Sequence, residues 1–96
     1  MASFKELDVF QRSVIMVKYI YGVTKKFPEE EKFGIVSQLR RAAISIPSNI
    51  AEGASRRTVK DRQYFVDIAL GSLNEVYAQF LVADILEYLP KSEVKR

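Results

Sequence analysis

Two carboxylates, Glu52 and Glu75, stand in the most patterned stretches of the chain, AAISIPSNIAEG and IALGSLNE. Paired acids do acid–base work or hold a hard cation when further groups converge on them. The chain contains no histidine and no cysteine. That removes the commonest general base, the usual zinc ligand, thiolate chemistry and the carboxylate–histidine di-iron set of helical bundles. Ser45, Ser48 and Asn49 lack an evident base to activate a nucleophile. Glu52 and Glu75 are therefore read as structural ion-pair partners, Glu52 with Arg62 and Glu75 with Arg41. Gly53 and Gly71 do not make a phosphate-cradling loop and read as points of close helix packing. The expectation is a protein that is not an enzyme, with no cofactor, metal or small-molecule substrate.

The cations offer different chemistry. The net charge of +3 is concentrated in the middle of the chain, where residues 35–60 hold five Lys and Arg against Glu52 alone. Arg56, Arg57, Lys60 and Arg62 cluster, and Arg12 joins them if the first helix runs antiparallel to the second. Such a group displaces counterions from a nucleic acid backbone without reading sequence. The plainer reading is a solvated helix end, with Arg56 and Arg57 suited to the negative end of the helix dipole. No RNP-type aromatic motif, zinc knuckle or helix-turn-helix spacing accompanies the cluster. A second group, Lys25, Lys26, Lys32, Lys91, Lys95 and Arg96, is offset by Glu29, Glu30 and Glu31 and reads as a surface of mixed charge.

These residues need elements to hold them. Ninety-six residues make one domain with a core of three or four helices. Val36, Leu39, Ala43, Ile46, Ile50 and Ala54 recur at helical spacing, as the apolar stripe of a helix set on a core. Leu7, Phe10, Val14, Val17 and Tyr21 do the same over an earlier stretch, with Thr24 next in phase but polar. Ser3 and Glu6 have capping-box spacing, and Phe27-Pro28 ends that helix. Thr58, with Asp61 three residues on, caps a third helix whose seam is Phe65, Ile68, Ser72, Val76, Phe80 and Ala83, with Ala69, Leu73 and Tyr77 alongside. Pro90 ends it.

The spacing predicts an all-α, antiparallel up-down helical bundle with three long helices at about 4–26, 35–56 and 59–89. Pro47 falls inside the second. The stripe passes through it in phase, which favours a kink; the alternative is a break, with Ser45 capping a new helix. Ser45 and Ser48 are placed to satisfy freed backbone groups. Most aromatic residues fall on or beside the seams, and Tyr19, Tyr64 and Tyr88 are candidates for a subunit interface. No apolar run reaches the roughly 18 residues of a membrane span, and the opening MASFKELDVF lacks a signal-peptide core. A cytoplasmic, membrane-free protein is expected.

The stretch QLRRAAISIPSNIAEG, followed by IALGSLNE, resembles the small proteins known as four helix bundle proteins, the intervening-sequence proteins of large-subunit ribosomal RNA genes. LDVFQRSV and FPEEEKFGI look like the same family, so the likeness covers about residues 4–89. Accessory variability proteins of retroelements are similar relatives. The resemblance implies an up-down bundle that assembles into a ring-shaped pentamer with a central channel, without established enzymatic activity. It also implies a nucleic acid or nucleoprotein partner, as in the retroelement relatives. Members of the family continue past the position of Tyr88-Leu89 into a fourth amphipathic helix, whereas this sequence stops at Arg96. The expectation is a fourth helix absent or truncated, its place open or covered by a neighbouring subunit.

Together these readings describe a homo-oligomer that binds RNA or a nucleoprotein through Arg12, Arg56, Arg57, Lys60 and Arg62. The rival is a protein-only scaffold or adaptor that docks a partner helix on an exposed seam.

Overall fold

The computed structural model describes residues 3–90. Its elements are a 3-10 turn at Phe4–Glu6 and three helices, α1 (Asp8–Thr24), α2 (Ile35–Ala54) and α3 (Val59–Ile85), with a second 3-10 turn at Glu29–Glu31. Among the described residues there is no strand. The up-down bundle is therefore as expected, with differences that bear on the site.

The first helix is shorter than 4–26. Ser3 does cap, but its Oγ accepts from the Lys5 amide and closes the short 3-10 turn. Leu7 is extended between that turn and α1. Its packing face is also turned about 90° from the Leu7–Tyr21 seam, by the roughly 100° a helix advances per residue. The buried residues of α1 are Ser13, Ile20, Val23 and Thr24, while Leu7 and Val14 are exposed. Two hydroxyls make this possible. Ser13 Oγ donates to the Phe10 carbonyl at 2.7 Å, and Thr24 Oγ1 to the Ile20 carbonyl at 2.6 Å. A polar group satisfied by its own backbone is buried at little cost.

α2 runs unbroken through Pro47, so the chain takes the kink-compatible course and no new helix starts at Ser45. Polar side chains gather beside the proline. Asn49 Nδ2 donates to the Ser45 carbonyl at 2.8 Å and to Ser45 Oγ at 3.0 Å, and the Ser45 and Ser72 hydroxyls share a 2.8 Å hydrogen bond across to α3. Ser48 is exposed and takes no part. The core is built on α2: Val36, Leu39, Ala42, Ala43 and Ile46 meet Ile20 and Val23 of α1 and Val76 and Ala83 of α3. α2 thus lies between its neighbours. α1 and α3 nowhere bring Cα atoms within 8 Å of each other. Side chains do cross the gap, as where Tyr19 meets Phe80 at 6.3 Å between ring centroids.

α3 ends at Ile85, four residues before the expected Leu89. Glu87 has φ 63°, in the left-handed region that non-glycine residues rarely enter. The Glu87 amide bonds the Asp84 carbonyl and the Tyr88 amide the Ala83 carbonyl, both at 2.9 Å. This is the Schellman pattern, and it reverses the chain. Leu89 then enters the core and Tyr88 packs 5.5 Å from the Phe27 ring. Tyr88, taken from sequence as an interface candidate, is tied within the chain: its hydroxyl donates to Glu31 Oε2 at 2.7 Å.

Candidate nucleic-acid interface

Thr58 opens α3 by accepting the Asp61 amide at 3.0 Å, the cap expected from its spacing. The α2–α3 turn is thereby tight, and the two helices approach closely just before it. A Cβ built on Gly53 would lie 3.1 Å from Phe65 Cβ, so Gly53 is the packing point its sequence position implied. Gly71 is not: nothing lies within 4 Å of a Cβ placed there, and it faces outward.

The corner cations divide into two kinds. Arg56 pairs with Glu52, Nη2 to Oε2 at 2.9 Å, and lies 4.8 Å over the Phe65 ring. Arg62 reaches back over the end of α2, donating to the carbonyls of Arg56 at 2.9 Å and Arg57 at 3.3 Å. Both therefore hold the corner's shape. Arg57 and Lys60 are exposed and form no ion pair or side-chain hydrogen bond among the described residues. Arg12 lies at the same end of the bundle, but its Nε is paired with Asp8 Oδ2 at 2.9 Å. Of five cations assigned to a nucleic acid surface, two are left without a protein partner.

The ion pairs expected from antiparallel folding do not form as drawn. Glu52 takes Arg56, one helical turn away, because Arg62 is committed to the carbonyls that end α2. Glu75 accepts from Gln79 Nε2 at 3.2 Å, and Gln79 bridges to Gln38 Oε1 of α2 at 3.1 Å. Arg41 turns outward on α2 and makes no ion pair among the described residues. Neutral amides, rather than charges, join α2 and α3 at that level. No group of three or more Asp, Glu, His or Cys side chains placed to hold a metal ion occurs among the described residues.

Two features escaped the sequence reading. One is the outer face of α3, where Val66, Leu70, Leu73, Tyr77 and Leu81 stand exposed at spacings of three and four. Leu73 and Tyr77 were placed beside the core seam and lie outside it. The second apolar stripe was visible in that spacing, but nothing local distinguishes an inner stripe from an outer one. The other is Arg40, half-buried, which donates from Nε to Thr24 Oγ1 at 2.9 Å and from Nη2 to the Tyr21 carbonyl at 3.3 Å. It supplies a cation to the carboxyl end of α1. Lys32 lies 5.7 Å over the Phe33 ring, while Lys91, Lys95 and Arg96 fall outside the described residues.

Fold and surface define a small all-α bundle, open on one side, whose α3 carries an apolar outer face and a cationic start. No helix among the described residues is long and apolar enough to cross a membrane. The chain belongs to the family described as 23S rRNA-intervening sequence protein, which it matches over residues 5–96. These are small proteins not known as enzymes. No curated protein matches the chain.

Proposed function

We propose that this is a non-enzymatic, cytoplasmic protein that self-associates through α3 and binds structured RNA, free or in a nucleoprotein, at the α2–α3 corner. The observation that supports it is the union of two features on one helix. Exposed cations stand at the start of α3, Arg57 in the turn before it and Lys60 in its first turn, and the helix continues as an apolar stripe outside the core. Copies joined along the stripe repeat the corner, and repetition raises avidity without any new contact. The pentameric ring implied by the family resemblance is one such assembly. Arg56 and Arg62 hold the turn, and Arg57 and Lys60 meet phosphates.

The test is fluorescence anisotropy with a labelled RNA hairpin at several salt concentrations. Affinity should fall steeply with salt, and Arg57→Ala/Lys60→Ala should reduce the logarithmic salt slope by about one per cation removed. Absence of binding at low salt by folded protein rejects the reading. The α3 stripe itself favours a second reading, a protein-only scaffold that docks an apolar partner helix. A complex with a cellular protein that is indifferent to salt, with no RNA binding, would establish that one instead.

A further inference from the structure

At the opposite end of α2 from the basic corner, Phe33 stands 90% exposed. Isolated apolar residues on a surface are ordinary, but this one borders a groove of about 480 Å³ between α1 and the start of α2. The groove lining holds three cations, Lys32, Arg40 and Arg41, and no acid. Its nearest acidic neighbour in sequence, Glu31, is turned to the Tyr88 hydroxyl. Arg40 is held 4.5 Å over the Tyr21 ring by its bonds to Thr24 and the Tyr21 carbonyl. Arg41 makes no ion pair among the described residues, and Ser37 adds a hydroxyl to the same wall.

We propose that this groove binds single-stranded nucleic acid, with a base stacked on Phe33 and the adjoining phosphates held by Lys32 and Arg41. An aromatic face ringed by cations matches an unpaired base and its backbone, because every base has a π-face and every linkage a negative charge. A duplex keeps its bases stacked internally and offers none to Phe33. The site is separate from the corner: the 20 residues of α2 place the two roughly 30 Å apart, at about 1.5 Å per residue. It goes beyond the proposed function, and each stands or falls alone.

The experiment uses a labelled oligouridylate of roughly 12 nucleotides, within the site sizes usual for single-strand binders. Phe33→Ala should weaken binding about tenfold or more without changing the salt slope, and Phe33→Tyr should restore it. Arg41→Ala should lower the slope by about 0.7, the value for one phosphate contact on a single strand. Neither change should affect binding of a blunt-ended RNA duplex through Arg57 and Lys60, because a duplex has no unpaired loop. Phe33 is too exposed for its truncation to unfold the chain, which circular dichroism would verify. Unaltered oligouridylate binding in Phe33→Ala overturns the proposal. So does a Phe33→Ala variant that changes the sedimentation coefficient but not the affinity, since the ring would then be a protein contact.

Discussion

The Arg40 guanidinium lies 4.5 Å above the Tyr21 ring while its Nε donates to the buried Thr24 hydroxyl at 2.9 Å. One side chain of α2 thus closes the carboxyl end of α1. It joins the two helices by a charge-assisted bond, a cation–π contact and a bond to a main-chain oxygen. Arg40→Met keeps most of the apolar stem and removes all three. We expect a loss of about 1.5–3 kcal/mol in urea unfolding, the range for a hydrogen bond to a charged group. An unchanged midpoint would show that water replaces the guanidinium without cost.

The outer face of α3 leads to a second prediction. Leu70 and Tyr77 are 53% and 65% exposed, so placing charge there should leave the single chain intact. Leu70→Glu/Tyr77→Glu should raise the dissociation constant for self-association at least about tenfold, equivalent to about 1.4 kcal/mol. Sedimentation velocity over a concentration series reads it. A thermal midpoint lowered to the same extent in the dilute protein would mean that the stripe supports the fold itself, and would reject this face as the contact.

A third concerns alkaline pH. The hydrogen bond to the Glu31 carboxylate, reinforced by burial and by the charges of Glu31 and Glu30, raises the Tyr88 pKa above its usual 10.0. The folded state therefore holds this proton more tightly than the unfolded chain. The resulting stability is fully present below pH 10 and is lost as pH rises through the raised folded value. Tyr88→Phe should remove that part of the alkaline loss. Identical stability profiles for the two proteins between neutral pH and pH 11, roughly a unit above the ordinary tyrosine value, would refute it.

Much of the fold could be read along the chain. The α2 stripe, the Thr58 cap and the proline after Phe27 are local signals, and each element they mark is present. The candidate site was legible only as composition. Arg56, Arg57, Lys60 and Arg62 are adjacent in sequence, but which of them keep free charges depends on whether a carbonyl or a carboxylate lies within reach. Arg62 turns to carbonyls because the tight turn brings the end of α2 beneath it. Arg56 then takes Glu52, the acid expected for Arg62.

Helical period and capping chemistry act within a few residues, and the sequence by itself determined the number, order and approximate ends of the helices. It also determined that no histidine or cysteine chemistry operates here. Tertiary structure decided which face each helix buries. α1 turned toward Ser13 and Thr24 because their hydroxyls could be satisfied internally. α3 carries two apolar stripes, and only packing against α2 selects Ala69, Val76 and Ala83 for the core, leaving Val66, Leu70, Leu73, Tyr77 and Leu81 outside. Burial is a relation between elements, so the residues that remain exposed are known only once the neighbours are in place.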